Sequence, residues 1–430
     1  MNSNKGCQAL DSRRGFLKTT AVAIGAGAAT QLSVPRAAHA AEQNTLKIGL
    51  VGCGGRGTGA AVQALTADPN TKLIAVADAF RDRAETSLKA IRGQKGDQVD
   101  VPPDRVFDGF EGYQKVIDSG VDIVLLTASP HFRPKHLREC VEAGKHVFAE
   151  KPVAVDAPGV RSVLETTELA REKNLCLVSG LCWRYETNSL EMMARLHDGA
   201  IGEITSLNTI RYGGGVWVRP RKEGMTEMQY QMANWYYFTW LSGDFITEQF
   251  VHELDRMAWV MGDEYPVACV ATGGRQTRTG PEYGHIYDHF AAQFEYENGV
   301  KLHATDRHQR GCANWFTVEA VGTKGRCDMQ KFEITGANPW TSGKRRTQMH
   351  QLEHDAMYAA LRKGDVINNG EYMAKSTMMA IIARMSAYTG RRLTWEQAMN
   401  SKQSLAPERY TWDAAPPPDE VAMPGVTEFV

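Results

Sequence analysis

The stretch LKIGLVGCGGRG, residues 46–57, decides the fold of this chain. Its first half is an apolar run of strand length. Its second half places Gly52, Gly54 and Gly57 at the G-x-G-x-x-G spacing, directly before the helix-like segment 58–66. Glycine suits such a turn because a Cβ atom would block its backbone angles and keep a phosphate away from the amides at a helix N-terminus. The stretch therefore predicts a strand, a tight turn and a helix that bind a dinucleotide.

The next apolar run, residues 73–77, ends in Asp78, about one βαβ unit further on. A carboxylate at that point accepts hydrogen bonds from ribose hydroxyls and repels a 2′-phosphate, so we expect NAD rather than NADP. Arg56 and Arg81 lie near enough in the sequence to offset the repulsion, which keeps NADP open as an alternative. The cofactor-binding residues predicted from this unit are Gly52, Gly54, Gly55, Arg56, Gly57 and Asp78.

Strands and helices continue to alternate as far as residue 179. Near-continuous apolar runs at 121–127 and 146–149 are typical of parallel strands covered on both faces. His131 follows the first of these runs, at the edge where parallel strands end, so we expect it near the cofactor. The pattern predicts an α/β fold with a doubly wound parallel sheet, that is, a Rossmann domain. The other elements expected here are an exposed excursion at 92–105, helices at 107–119, 134–143 and 157–173, and a strand at 175–179.

After Gly180 the sequence favours an α+β domain with an open, mostly antiparallel sheet. Asn298-Gly299 separates two strand-like runs, 291–297 and 300–305, which is a hairpin signature. Further elements are expected as a strand at 316–321 and helices at 352–363 and 373–389. The predicted domains are a Rossmann domain over 41–165, a substrate and oligomerisation domain over 166–410, and an extended Pro-rich tail over 411–430.

The first forty residues have the pattern of an export signal. SRRGFLK, residues 12–18, contains a twin-arginine pair, and Ala38-His39-Ala40 is a small-x-small cleavage site. We therefore expect residues 1–40 to be removed and the folded protein to pass through the twin-arginine translocation machinery to the periplasm. No later stretch is long and apolar enough to predict a membrane span in the mature form.

Composition excludes several other classes of protein. The formal net charge of −1 offers no basic footprint for nucleic acid or for an anionic membrane. The eight cysteines form no C-x-x-C pair and no Cys/His cluster at zinc spacing, so no metal site is predicted. Because twin-arginine substrates fold in the reducing cytoplasm, we expect buried and mostly reduced thiols.

Two further motifs carry a resemblance to a known family. AGKHVFAEKP, residues 143–152, and SGDFITEQFVHELD, residues 242–255, resemble the Gfo/Idh/MocA family of glucose-fructose oxidoreductases and inositol dehydrogenases. The resemblance covers the whole mature chain and looks closest to an exported branch that also bears a twin-arginine leader. It implies a Rossmann domain and an open-sheet domain that hold a sugar or cyclitol against the nicotinamide. It also implies a homo-oligomer and places Glu150 and Lys151 at the cofactor.

The same motifs contain candidate catalytic groups for the oxidation of an alcohol. That reaction needs a base for the hydroxyl proton, and His252 is suited to this role. Glu248 and Asp255 lie four residues before and three residues after His252, so on one helix all three would share a face, where a carboxylate can fix the imidazole tautomer. By resemblance, the Lys151 ammonium would hydrogen-bond the reacting oxygen. Relatives often have aspartate where this chain has Glu248, which leaves its role open.

Aromatic residues are dense between positions 212 and 240, and aromatic faces pack against the C–H faces of sugars. About half of them are expected to be core instead. Arg184 and Tyr185 follow a strand at the domain junction, where they can reach a substrate, while Asp255 could equally be an ion-pair residue. The substrate-binding residues predicted from these observations are Arg184, Tyr185, Trp235, Tyr236 and Asp255.

Export constrains the chemistry. The periplasm has no obvious pool of free nicotinamide cofactor, so the cofactor should be loaded during folding, bound tightly and regenerated in place. This favours an NAD(P)-dependent oxidoreductase that passes hydride between a sugar or cyclitol and a second carbonyl compound. Two alternatives remain open: a redox-neutral glycoside hydrolase or lyase that acts through a transient keto-sugar, and a non-catalytic cofactor-bearing binding protein.

Overall fold

The computed structural model describes residues 44–343, 347–418 and 420–430. The expected twin-arginine signal, residues 1–40, lies outside the described residues. Two sheets organise the chain, one of six strands and one of nine. This arrangement confirms the predicted fold class, a Rossmann-type parallel sheet followed by a mixed α+β domain.

The first sheet is entirely parallel and has the strand order β3-β2-β1-β4-β5-β6. In its two central strands, residues 48–51 and 123–126 are all buried, which explains the near-continuous apolar runs in the sequence. The strands are β1 (Leu46–Val51), β2 (Thr71–Asp78), β3 (Val106–Asp108), β4 (Ile123–Leu126), β5 (His146–Ala149) and β6 (Leu177–Ser179). The helices are α1 (Gly55–Ala67), α2 (Arg81–Lys95), α3 (Gly112–Asp118), α4 (Arg133–Glu142) and α5 (Ala157–Glu172).

Two details of this half differ from the expectation. The boundary expected at residue 165 falls inside α5, and β6 pairs with β5, so the Rossmann sheet extends to Ser179. The segment 107–119, expected to be one helix, begins instead within β3 and becomes helical only at Gly112. Three residues of β3 suffice for pairing at the sheet edge, but they are too few to show a strand period in the sequence.

The second sheet has the order β14-β13-β12-β11-β7-β10-β9-β8-β15, in which only the pairing of β7 with β10 is parallel. The predicted hairpin is present, with Asn298 and Gly299 in the turn between β9 and β10. The strands are β7 (Ile204–Gly213), β8 (Ala268–Gly274), β9 (His289–Glu295), β10 (Lys301–His308), β11 (Trp315–Gly322), β12 (Gly325–Asp328), β13 (Glu333–Gly336), β14 (Trp340–Thr341) and β15 (Leu393–Thr394).

Helices cover one face of the second sheet and join the two domains. The long helix α12 packs against β8 and also against α5 of the Rossmann half, while α11 packs against α1. Burial on nearly every side of α12 explains its apolar sequence. The helices are α6 (Thr187–His197), α7 (Glu227–Ala233), α8 (Thr239–Ser242), α9 (Phe245–Glu248), α10 (Val251–Val260), α11 (Met349–Lys363), α12 (Gly370–Thr389) and α13 (Trp395–Met399).

The C-terminal segment packs on both domains. Trp412 lies against Phe80 and Phe110 of the Rossmann half, with ring centroids 5.2 and 4.6 Å apart. Further along, the Tyr287 hydroxyl donates to the carbonyl of Ala422. Within the described part of the chain, no helix combines the length and apolar character needed to cross a membrane.

Candidate active site

A cavity of about 610 Å³ opens at the carboxyl edge of β1, β2 and β4. Its inner wall is the glycine-rich turn between β1 and α1, and Trp217, Arg219 and Trp235 of the second domain close the other side. We call it the glycine-rich cavity. Ligands of doubly wound sheets bind at this edge, where the strand order reverses beside β1.

The glycines of the turn divide into two kinds. A Cβ atom on Gly57 would lie 1.9 Å from the carbonyl oxygen of Gly52, and one on Gly52, at φ +93°, would lie 2.3 Å from the amide of Ala128. These two glycines therefore allow the turn and the start of α1 to pack closely against Thr127 and Ala128, which follow β4. Gly54 and Gly55 have no atom within 4 Å of such a Cβ and face the cavity. No side chain of the described residues caps α1, which leaves its first amides available to bind a pyrophosphate.

Asp78 lines the cavity, as expected, but the surrounding backbone already uses its carboxylate. One oxygen accepts from the Cys53 amide at 2.7 Å and the other from the Phe80 amide at 3.0 Å. Burial is the largest influence on its pKa and raises it. Carboxylate oxygens have further lone pairs, so Asp78 keeps the capacity to accept from a ribose hydroxyl.

The two arginines expected to offset the charge of Asp78 point elsewhere. Arg81 donates to the carbonyl of Val106 and pairs with Glu85, and Arg56 turns toward Glu150. Arg83 takes their place, because its guanidinium lines the cavity and lies within electrostatic range of Asp78. The i,i+4 pair of Arg81 and Glu85 on the exposed face of α2 explains why the nearest arginine in sequence is not the nearest in space.

Arg56 connects the glycine-rich cavity to a buried set of charges. It pairs with Glu150, donates to Gln63 at 2.7 Å and reaches Glu353 at 3.1 Å. Burial disfavours the Glu150 carboxylate, but Arg56 outweighs it and lowers the pKa of Glu150. Burial and the neighbouring Glu150 raise the pKa of Glu353 well above its usual range. We call Arg56, Glu150, Lys151, Glu248 and Glu353 the charged cluster.

Lys151 bridges the two domains within this cluster. Its ammonium donates to Glu248 Oε1 at 2.9 Å and to the carbonyl oxygen of the same residue. The buried Arg133 holds the adjoining backbone by donating to the carbonyls of Lys151 and Pro152, at 3.1 and 2.7 Å. Lys151 is therefore held in place from both sides at the end of β5.

His252 lies beside this pair, without the carboxylate partner that was expected. Glu248 ends α9 and His252 is the second residue of a separate helix, α10, so the three residues do not share one helical face. The Glu248 carboxylate binds Lys151, and His252 Nδ1 is buried with no hydrogen-bond partner among the described residues. Burial, followed by the charges of Lys151 and Arg211, lowers the pKa of His252 well below its usual value. The imidazole is therefore neutral at pH 7 and able to accept a proton.

Three predicted substrate-binding residues lie away from the glycine-rich cavity. Arg184 and Asp255 form a buried ion pair at 2.8 Å, which Ser376 and Asp263 extend. Attraction to Asp255 outweighs burial and raises the pKa of Arg184. The Tyr185 hydroxyl donates to Asn369 at 2.7 Å. Asp255 is thus an ion-pair residue in this structure, and it supplies the counter-charge that the buried guanidinium of Arg184 requires.

The two predicted aromatic residues occupy different places. Trp235 lines the glycine-rich cavity and meets Trp217 edge to face, with ring centroids 6.0 Å apart. Tyr236 is 2% exposed, and its hydroxyl has no hydrogen-bond partner within the described ranges. Most of the neighbouring aromatics are core; Trp240, for example, is buried and donates to Gln231 at 2.7 Å.

His131 does not line the cavity. Its Nε2 lies 2.8 Å from the hydroxyl of Tyr410, and its ring packs edge to face on Trp240. Burial lowers the pKa of His131 to about 4, so the ring is neutral at pH 7. The residue fastens the C-terminal segment beside the cavity rather than contacting its interior.

Several residues of the site were not singled out from the sequence. Arg83 and Arg219 line the cavity, and Glu353 joins the charged cluster from α11. Asp306 is fully buried on β10, and neither of its carboxylate oxygens has a partner among the residues described. The alternation of buried and exposed residues along β10 could have indicated Asp306 as an inward-facing carboxylate. No comparable signal marks Arg219.

These features define a class: a two-domain protein with a Rossmann-type dinucleotide site and a lysine at the domain junction. The model for an oxidoreductase family with an NAD-binding Rossmann fold matches residues 46–181, and the model for the GFO/IDH/MocA C-terminal domain matches residues 189–328. The chain belongs to the Gfo/Idh/MocA family of oxidoreductases and carries its NAD-binding domain.

Individual relatives are distant. Inositol 2-dehydrogenase from Rhizobium meliloti is 24% identical over 332 residues, which cover 74% of this chain and 90% of that protein. A glycosyl hydrolase family 109 protein from Streptomyces coelicolor is 26% identical over 210 residues, 49% of this chain and 41% of that protein. The chain spans about half of the length of the first curated relatives that it matches.

A solved structure shows the same fold. Aldose-aldose oxidoreductase from Caulobacter crescentus matches with a TM-score of 0.63 at 18% identity, over 82% of this chain and all of that one. At this identity the match shows a shared fold.

Proposed function

We propose that this protein is an exported oxidoreductase that transfers hydride between a tightly bound NAD and a hydroxyl group of a sugar or cyclitol. A bound nicotinamide dinucleotide would be held by the amides of Gly54 to Gly57 and by Asp78, and it would supply the hydride acceptor. The residues of the chain would supply orientation and proton transfer. One observation supports the substrate class: a group of buried polar atoms around Arg211 has no hydrogen-bond partner among the described residues.

These atoms are the hydroxyl of Tyr236, Nδ1 of His252 and the carboxylate of Asp306. Arg211 lies within electrostatic range of all three residues, which places them in one neighbourhood. Buried polar groups are usually hydrogen-bonded, so each isolated one calls for a partner. A polyhydroxylated ring offers several donors and acceptors at once, and the names of relatives such as inositol 2-dehydrogenase support that class.

Lys151 and His252 have separate roles in the proposed reaction. The neutral imidazole of His252 accepts the hydroxyl proton as the C–H bond breaks. The Lys151 ammonium donates a hydrogen bond to the same oxygen and stabilises its developing negative charge. Glu248 holds that ammonium at the domain junction. The reverse reaction, reduction of a keto-sugar, uses the same groups in the opposite order.

NAD rather than NADP is proposed because Asp78 lies at the end of β2 beside the cavity. Arg83 lies close enough to Asp78 to weaken that preference. Mass analysis of the nucleotide released when the purified protein is denatured decides the matter. NAD or NADH as the main species supports the proposal, and NADP as the main species contradicts it.

Export is proposed on the pattern of residues 12–18 and 38–40. Replacing both Arg13 and Arg14 by lysine should leave the precursor in the cytoplasm, as fractionation and immunoblotting would show. A matched replacement of Lys5 and Lys18 by arginine keeps the charge of the leader and should leave export intact. Normal export of the Arg13/Arg14 variant would remove the basis for a periplasmic location.

Cofactor-loaded protein mixed with a panel of free sugars, cyclitols and glycosides tests the reaction. The near-ultraviolet band of the reduced nicotinamide should rise with one free sugar or cyclitol. It should stay high until a second carbonyl compound is added. A panel in which no polyol changes the band would contradict the proposed reaction.

The second candidate is redox-neutral cleavage of a glycoside through a transient keto-sugar. It is favoured by the similarity to the glycosyl hydrolase family 109 protein and by Glu353, whose raised pKa keeps a proton available beside the charged cluster. Steady release of an aglycone from a glycoside, with no second carbonyl consumed and no lasting change in the band, would establish this reaction instead.

A homo-oligomer formed through the open face of the second sheet is also proposed. That face carries apolar side chains exposed to solvent in the single chain, among them Trp315 at 62% and Val321 at 42%. Light scattering coupled to gel filtration should show a dimer or larger species. A Trp315→Glu variant should lower its mass, and a monomer in the unchanged protein would contradict the proposal.

A further inference from the structure

Beside the charged cluster, three residues from separate parts of the chain bring their donor atoms together. Cys182 begins the short 3-10 turn that follows β6, and His350 and Glu353 lie in the first turns of α11. One sulfur, one imidazole nitrogen and one carboxylate oxygen lie within 4.8 Å of one another. His350 and Glu353 are three residues apart on a helix and therefore share one face.

The distances suit a single small cation. Zinc binds nitrogen and oxygen at about 2.0–2.2 Å and sulfur at about 2.3 Å, so the ligands of a tetrahedral ion lie roughly 3.5 Å from one another. His350 Nδ1 lies 3.6 Å from Glu353 Oε1, the carboxylate oxygen that also accepts from Arg56. Because the three donor atoms lie within 4.8 Å of one another, side-chain rotations would bring all three onto one ion.

Two of the donors have no other partner in the described structure. Glu353 is fully buried, yet its Oε2 accepts no hydrogen bond, and His350 Nδ1 is likewise unpartnered. An unpartnered carboxylate oxygen in the interior is costly and calls for an explanation. Arg56 holds the other oxygen of Glu353 at 3.1 Å, as the outer partner of a metal ligand does, and leaves Oε2 free.

Charge balance points in the same direction. Arg56 faces two acidic side chains, Glu150 and Glu353, with a single positive charge. A divalent ion that binds displaces the protons of the Glu353 carboxyl group and of the Cys182 thiol, and the set of Arg56, Glu150, Glu353, Cys182 and the ion is then neutral. Lys151 and Glu248 neutralise each other and do not alter this count.

We propose that Cys182, His350 and Glu353 form a three-ligand site for zinc or a similar late first-row divalent ion. The set of one sulfur, one nitrogen and one oxygen donor suits an ion of intermediate softness and not magnesium or calcium. Three protein ligands leave a fourth position for water or a substrate oxygen. The Lys151 ammonium lies within electrostatic range of both Cys182 and His350, so the ion would lie near the residues of the proposed reaction.

This proposal replaces the expectation of no metal site. Spacing rules search for ligands close together in sequence, whereas Cys182 is far from His350 and meets it only because α11 of the second half packs beside the end of β6. The predicted helix 352–363 also began after His350, so the shared face of His350 and Glu353 was not visible.

Metal binding can be measured without any turnover. Protein lacking a histidine tag is stripped with a chelator, dialysed against cobalt(II) and analysed for metal content and absorption. One ion per chain is expected, with a thiolate-to-cobalt charge-transfer band and visible d–d bands of a four-coordinate site. Zinc should displace cobalt and remove both sets of bands.

Two ligand variants and one control complete the test. Cys182→Ser should abolish the charge-transfer band, and His350→Gln should weaken cobalt binding by tenfold or more. Cys312→Ser removes the exposed thiol of the described chain and should change neither signal.

His350 is partly exposed, so its variant remains informative where Cys182→Ser fails to fold. Substoichiometric cobalt in the unchanged protein, or a charge-transfer band that survives Cys182→Ser, would overturn the proposal. Neither result depends on the substrate or the reaction.

Discussion

The glycine-rich cavity is formed mainly by backbone from consecutive residues, whereas the charged cluster beside it draws side chains from distant parts of the chain. In the cavity, Gly52 and Gly57 allow the turn and the start of α1 to pack against the chain after β4, and Gly54 and Gly55 leave room for a ligand. In the cluster, Lys151 follows β5, Glu248 ends α9 and Glu353 belongs to α11. The two regions meet at Arg56, which lines one and pairs within the other.

The two regions differ in how the sequence specifies their functions. Anion binding by a helix N-terminus needs only local geometry, so one short motif supplies it. Acid–base chemistry needs an ionisable group with a suitable pKa. The burial and the neighbouring charges that set this pKa arise only when the two domains pack together. Substitutions in the cavity should therefore act on cofactor affinity, and substitutions in the cluster on turnover.

The largest effect should fall on stability, at the buried ion pair outside both regions. Arg184→Met leaves Asp255 without its guanidinium, and removing one partner of a buried pair costs about 3 kcal/mol or more. The free energy of unfolding in urea measures the loss. The control Arg171→Ala breaks exposed pairs with Glu168 and Glu371 and should cost about 1 kcal/mol or less. A stable Arg184→Met protein with a raised KM would show instead that Arg184 binds the substrate.

Lys151→Ala should lower kcat by roughly a hundredfold or more, because it removes the group that stabilises charge on the reacting oxygen. Nucleotide content should stay normal, since the cavity does not depend on the ammonium. Lys173, an exposed lysine just after α5, provides a matched control, and Lys173→Ala should keep full turnover. Near-normal turnover of Lys151→Ala on the true substrate would show that the lysine is structural.

The same contrast marks the limit of sequence reasoning. The strand-turn-helix at residues 46–67 and the hairpin around Asn298-Gly299 were predictable, because each is specified by turn chemistry and a local apolar period. The partners of Glu248 and Asp255 were not, because a break between α9 and α10 places the carboxylates in different surroundings. The burial that makes the imidazole of His252 neutral comes from residues far along the chain, and no spacing rule contains it.

The protonation of His252 should determine where the rate of alcohol oxidation falls on the acidic side, or acidic limb, of its pH profile. The base acts only when neutral, and its lowered pKa keeps it neutral to more acidic pH than an ordinary histidine. Oxidation should therefore fall only well below pH 6.5, in a profile of kcat/KM against pH. His252→Ala should lower the rate by about a hundredfold and abolish that limb. His303→Ala, at an exposed histidine on β10, should change neither. A limb that persists in His252→Ala would assign the proton to another group.

Gly54→Ala and Gly57→Ala should separate cofactor binding from folding. The new methyl group at Gly54 meets no protein atom and projects beside the cavity, so we expect nucleotide affinity to fall by about tenfold. Its cost to the helix end should be at most about 1 kcal/mol. At Gly57 the methyl would lie 1.9 Å from a backbone oxygen, so stability and affinity should fall together. Titration with NADH and thermal unfolding distinguish the two, and equal losses of stability would refute the division.

The smallest effect should come from the C-terminal segment, at the outer edge of the glycine-rich cavity. Trp412 packs on Phe80 and Phe110, which both line the cavity, and its carbonyl accepts from Thr226 at 2.6 Å. Trp412→Ala removes this aromatic cover, so bound nucleotide should exchange a few times faster with labelled nucleotide in solution. Val426→Ala changes an exposed residue of the same segment and should leave the exchange rate unaltered. An unchanged rate for Trp412→Ala would mean that retention of the cofactor depends on the glycine-rich turn alone.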